Sequence, residues 1–128
     1  MMSQIHPSSI VSNKVELGKN TKIGPHCYLD GNISIGDNTE LKSHVSITGN
    51  TKIGKNNVFY PFSNIGCDPQ DLKFKGEDSF LIIGDDNTFR ENVTISKGTE
   101  DGGMVTSIKN NNLFMTGVHI AHDCKINN

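Results

Sequence analysis

Ile23-Gly24-Pro25-His26-Cys27-Tyr28-Leu29-Asp30-Gly31-Asn32-Ile33-Ser34-Ile35-Gly36-Asp37-Asn38-Thr39-Glu40-Leu41 decides the fold. The apolar residues Ile23, Leu29, Ile35 and Leu41 fall at every sixth position. Extended both ways, the pattern takes in Ile5, Val11, Leu17, Ile47, Ile53, Phe59 and Ile65, eleven consecutive positions without a miss. A period of six fits neither the turn of about 3.6 residues of a helix nor the two-residue alternation of a long strand. It fits a parallel β-helix, in which three short strands make one triangular coil and the first residue of each hexad fills the prism. A sandwich of short strands would need turn signals about every 8–12 residues instead.

Two further positions support this. Four residues after each apolar residue comes a mostly small or β-branched side chain: Ser9, Val15, Thr21, Cys27, Ile33, Thr39, Val45, Thr51, Asn57 and Ser63. These are expected inside, near corners where space is short. The fourth hexad position holds Asn20, Asn32, Asn38, Asn50, Asn56, Asn92 and Asn111. Asn tolerates the left-handed backbone conformation that a tight corner requires.

The register breaks at about 67–82 and again at about 101–107. Ile83 lies eighteen residues after Ile65, which predicts that the first break replaces the intervening hexads with a loop that returns on phase. After the second break, which contains Gly102-Gly103, the hexads run Ile108, Phe114, Ile120 and Ile126. Insertions in a solenoid become loops on one face, often the binding face. The first loop is dense in polar groups, with Gln70, Asp71 and Lys73, and is expected to meet a ligand. The second reads as a spacer. The sequence stops midway through the Ile126 hexad, and no cap for an open coil is visible. Residues 1–128 are therefore expected to form one partial hexapeptide-repeat domain, open at its C-terminal end and belonging to a longer protein.

Composition narrows the function. The formal charge of −2 and the scattered lysines give no footprint for nucleic acid. No apolar run approaches the roughly 20 residues needed to span a bilayer, and no signal peptide is visible. Three well-separated cysteines, Cys27, Cys67 and Cys124, argue against a disulfide framework and for a reducing compartment such as the cytoplasm.

The chemistry concentrates in His119-Ile120-Ala121-His122-Asp123-Cys124. The repeat places His122 at a third position, facing outward near a corner. An imidazole can take a proton from a hydroxyl and return it near neutral pH. Asp123 beside it can fix the tautomer, provided that the backbone bends to let adjacent side chains meet. On the residues alone, a catalytic pair and a polar corner of the repeat both remain open. Cys124 falls at an inward position and reads as core; Ser96 and Lys97 read as solvated.

His119-Ile120-Ala121-His122-Asp123-Cys124, the loop Gln70-Asp71-Leu72-Lys73, the stretch Leu41-Lys42-Ser43-His44-Val45, and Arg90-Glu91-Asn92-Val93-Thr94-Ile95 together resemble the UDP-N-acetylglucosamine 3-O-acyltransferase family. These bacterial enzymes start lipid A synthesis. The resemblance runs the length of the chain and corresponds to the N-terminal half of such an enzyme. It implies an all-β fold, a left-handed parallel β-helix assembled as a homotrimer, the hand coming from the family and not from the residue pattern. It further implies transfer of a 3-hydroxyacyl group from acyl carrier protein to the 3-hydroxyl of UDP-N-acetylglucosamine, without a cofactor or metal. On this chain His122 then looks like the general base and Asp123 like its orienting carboxylate. His119, Gln70, Asp71 and Lys73 look like contacts to the sugar nucleotide, in a site between neighbouring subunits. Ser96 stands where a basic residue is often found. With the oxyanion donor and much of the nucleotide site expected beyond residue 128, little or no turnover is expected of this chain.

Three rivals stand beside this reading. The related N-acyltransferase of the same pathway shares the repeat and a similar His, but usually carries Asn after it and a domain before the repeats. A zinc enzyme of the carbonic anhydrase type would need a third ligand beyond His119 and His122, and His44 is several coils away. A trimeric remnant without a reaction is the non-enzymatic alternative.

Overall fold

The computed structural model describes residues 3–72, 76, 78–100 and 102–128. Among them there is no helix, and eighteen short strands form three six-stranded parallel sheets. The first sheet holds β1 (Gln4–Ile5), β4 (Lys22–Ile23), β7 (Glu40–Leu41), β10 (Val58–Phe59), β13 (Thr88–Phe89) and β16 (Leu113–Phe114). The second holds β2 (Ile10–Val11), β5 (Tyr28–Asp30), β8 (Ser46–Thr48), β11 (Asn64–Cys67), β14 (Thr94–Ser96) and β17 (His119–Ile120). The third holds β3 (Glu16–Leu17), β6 (Ile33–Ile35), β9 (Asn50–Ile53), β12 (Phe80–Ile83), β15 (Val105–Ile108) and β18 (Lys125–Ile126). Every third strand shares a sheet, which is the triangular coil that the six-residue period predicts.

The hexad residues fill the prism as expected. Leu29, Leu41, Ile47, Phe59, Ile65, Phe89 and Ile95 are fully buried. Phe59, Phe89 and Phe114 stack along the axis, with ring centroids 4.5 and 5.0 Å apart. At the edge joining the third sheet to the first, buried Thr39, Asn57 and Asn87 climb as a polar ladder. Asn57 Oδ1 accepts the Asn87 amide at 2.9 Å, and Asn57 Nδ2 donates to the Gly84 carbonyl at 2.8 Å. Each rung of this ladder thus closes a corner instead of costing an unmade hydrogen bond.

The corners are left-handed at the fourth hexad position. Asn20, Asn38, Asn56, Asn92 and Asn111 all have φ between 58° and 62°, and His26, His44 and Phe62 share the conformation. Asn32 and Asn50 do not: the positive φ falls one residue earlier, on Gly31 and Gly49. Asn32 Nδ2 donates to Asn50 Oδ1 at 3.0 Å, as Asn20 Nδ2 does to Asn38 Oδ1 at 2.9 Å.

The first break differs from expectation. Ile83 pairs with Ile53, thirty residues away where uninterrupted partners such as Ile35 and Ile53 are eighteen apart, so twelve residues are added. The loop replaces no coil. It is inserted between β11 and β12, consecutive strands of one turn, and Ile65 pairs with Ile95 above it. The second break adds seven, since Ile83 pairs with Ile108 twenty-five residues on. It lies between β14 and β15. Both loops therefore leave from the same edge of the prism, that between the second and third sheets.

Candidate active site

That edge also carries His122 and Asp123, between β17 and β18. Asp123 occupies the fourth hexad position, and its φ of 64° supplies the bend that adjacent side chains need in order to meet. Asp123 Oδ2 lies 2.9 Å from His122 Nδ1. The backbone is pinned from inside the coil, where the Asp123 amide donates to Thr106 Oγ1 at 2.8 Å.

The carboxylate is held from behind by the second loop. The Thr99 amide donates to Asp123 Oδ1 at 2.7 Å, and the Thr99 hydroxyl donates to Oδ2 at 2.5 Å. Burial by itself pushes the Asp123 carboxyl up, but the Thr99 hydroxyl, the His122 ring and the Thr99 amide outweigh it and hold the group below the usual carboxylate range. Asp123 is therefore ionised at neutral pH. A carboxylate only accepts, so the proton of the His122–Asp123 bond sits on Nδ1 and, in the neutral ring, Nε2 carries the lone pair. The second loop is thus no mere spacer.

The first loop approaches from the other side. Asp71 Oδ2 lies 3.8 Å from His122 Nε2, too far for a direct hydrogen bond and close enough to flank whatever meets that nitrogen. Lys97 ties the two loops together, its Nζ 3.5 Å from Asp68 Oδ1. Lys97 is mostly buried and Ser96 fully so, against the solvated positions expected for both; the Ser96 hydroxyl packs 3.9 Å from Cys67 Sγ.

Of the residues singled out in the sequence, the fold brings Asp71, His122 and Asp123 together. His119 stands on the outer face of β17 with Nδ1 2.7 Å from Thr94 Oγ1. Gln70 is exposed beside Asp71. Lys73 and Phe74 lie outside the described residues. Cys124 is half-buried and packs against the core. His44 belongs to another edge, stacked between His26 and Phe62 at ring distances of 4.9 and 5.0 Å. Among the described residues, no three His, Cys, Asp or Glu side chains converge as a metal site. Thr99 and Gly102 were missed as site residues. A signal existed: Thr99 lies twenty-four residues before Asp123, one short of the offset that joins Ile95 to Ile120.

An imidazole and its carboxylate partner, on the edge of the prism and flanked by two loops, mark the chain as a hexapeptide-repeat β-helix with a candidate site on that edge. No protein-family model matches the chain. The chain is 55% identical over 124 residues to the acyl-[acyl-carrier-protein]–UDP-N-acetylglucosamine O-acyltransferase of Rickettsia bellii, covering 97% of this chain and 44% of that protein. The corresponding protein of Akkermansia muciniphila is 52% identical, with 97% and 48% covered. The crystal structure of UDP-N-acetylglucosamine O-acyltransferase from Moraxella catarrhalis superposes with a TM-score of 0.95 at 47% identity, covering 96% of this chain and 48% of that one. Over nearly its whole length the chain is homologous to the UDP-N-acetylglucosamine O-acyltransferases, and it shares their left-handed parallel β-helix. It spans about half the length of the curated relatives it matches.

Proposed function

We propose that this chain carries the base of an acyl transfer from an acyl carrier protein thioester, carrying a 3-hydroxyacyl group, to the 3-hydroxyl of UDP-N-acetylglucosamine, the first step of lipid A synthesis. The observation that carries the reading is the line Thr99–Asp123–His122, which leaves Nε2 as the basic nitrogen and points it toward Asp71. In the reaction the sugar hydroxyl donates to Nε2. The oxygen attacks the thioester carbonyl as His122 takes its proton, and the imidazolium, paired with Asp123, returns that proton to the departing thiolate. Help of this kind is worth roughly 10²–10⁴-fold.

Asp71, Gln70, Lys73 and His119 are assigned to the sugar nucleotide, with Asp71 closest to the reacting hydroxyl. On the single chain His122 keeps part of its side chain exposed on this ledge, and a separate groove crosses the outer face of the third sheet by Lys14, Lys52 and Phe80. A neighbouring copy in a homotrimer would wall the ledge. The setting is the cytoplasm; no helix among the described residues is long and apolar enough to cross a membrane.

The test is acyl transfer by this chain with 3-hydroxyacyl carrier protein and UDP-N-acetylglucosamine, beside His122→Ala. Little turnover is expected of this half-length chain, and whatever product it makes should depend on His122. Product that survives the substitution would remove the general-base assignment, and no product from either would deny the reaction to this chain.

A further inference from the structure

Thr99 is buried in the second loop, yet both of its polar main donors point at one carboxylate. Its hydroxyl also accepts the Gly102 amide at 3.1 Å. That acceptance orients the hydroxyl, whose single proton goes to Asp123 Oδ2. Oδ2 is the same oxygen that accepts from His122 Nδ1. The hydroxyl and the imidazole are thus joined through one atom. The terminal torsion of an Asp side chain is intrinsically broad, so the carboxylate plane has no preferred setting of its own. Here the Thr99 amide on Oδ1 and the Thr99 hydroxyl on Oδ2 fix it.

Gly102 completes the clamp by what it lacks. A Cβ on Gly102 would lie 2.0 Å from Asp123 Oδ2 and 2.2 Å from Cγ. Gly102 is outside the left-handed region, unlike its neighbour Gly103 at φ 105°, so the backbone there accepts alanine and the collision would fall on Asp123. The absence of a side chain at 102 is what lets the loop close onto the carboxylate.

We propose that Thr99, with Gly102 behind it, is a positioning residue: by setting the plane of Asp123 it holds His122 in the tautomer that keeps Nε2 free to accept a proton. The proposal rests on the reading of His122 as a general base and adds to it the group that makes that nitrogen basic.

The experiment uses the full chain with ¹⁵N-labelled histidine rings, the His122 signals being assigned by their loss in His122→Ala. Spectra are taken with the ring neutral. Wild type and Thr99→Ser are expected to show the proton on Nδ1 alone. Thr99→Val, of similar volume without the hydroxyl, and Gly102→Ala are expected to populate the Nε2-protonated form. Any transfer that wild type shows should fall about 10²-fold in kcat in Thr99→Val, the scale of a small misplacement of a catalytic group, with KM little changed and Thr99→Ser restoring the rate. An unaltered tautomer in a folded Thr99→Val chain overturns the proposal. Should Thr99→Val fail to fold, an unaltered tautomer in Gly102→Ala does the same. If the tautomers shift as expected while wild type transfers no acyl group, the positioning role stands and turnover is denied to this half-length chain. If wild type transfers and Thr99→Val matches it in rate and tautomer, the reverse holds.

Discussion

Asp123 accepts three hydrogen bonds on two oxygens while its own amide is tied into the coil, so it is the most constrained side chain of the edge. The constraint has a pH signature. The carboxyl is held below its ordinary value of about 3.9 in the folded chain. Between the folded and unfolded pKa values the unfolded chain binds more protons, so stability rises with pH there. The contribution is fully present above the unfolded pKa and is lost as pH falls through the folded one. The difference in urea midpoint between wild type and Asp123→Asn should therefore shrink below about pH 4. A difference that stays constant into strong acid would show that ionisation of Asp123 contributes nothing to the fold. At this scale the sequence made His122 and Asp123 legible, because imidazole and carboxylate advertise their chemistry. Thr99 was hidden because a hydroxyl takes its role from its partner, and the partner comes from another coil.

Among the elements, the corners carry the most local strain. Asn56 sits at φ 59°, where a side chain with a Cβ and no local polar compensation costs about 1–2 kcal/mol. Asn56→Ala is expected to lose stability on that scale in urea titration, and Asn56→Gly to lose little. Equal losses would assign the effect to the Asn amide and not to the backbone. Five of these corners were readable from the recurrence of Asn. Asn32 and Asn50 were not, since a glycine just before each takes the left-handed turn, and glycine competes for that conformation better than Asn. The first loop misled for an arithmetical reason. Its twelve added residues are two whole hexads, so the apolar phase is the same whether coils are replaced or a loop is inserted within one. Only the pairing of Ile83 with Ile53 distinguishes the two.

At the scale of the whole molecule, stability is a sum over neighbouring coils. Phe89 is fully buried with an aromatic ring stacked on either side, so Phe89→Ala should cost about 3–5 kcal/mol. Phe114, half-buried near the end of the stack, should cost less, and an equal cost for the two in chemical denaturation would contradict the end-of-stack picture. The period of six made the prism legible from the first hexads. It was silent on the hand of the coil and on which edge gathers the loops, since the same spacing serves every edge. The placing of the loops has its own consequence. After a register shift between Ile65 and Cys67 on the strand that enters the twelve-residue insertion, pairing resumes residue for residue beyond it, Leu81 with Thr51 and Ile83 with Ile53. Lengthening such a segment costs the ring-closure entropy alone, about 0.6 kcal/mol for each doubling. The loops that flank the candidate site and the hexads that keep the prism standing are thus written in separate stretches of the chain, and selection can revise one without renegotiating the other.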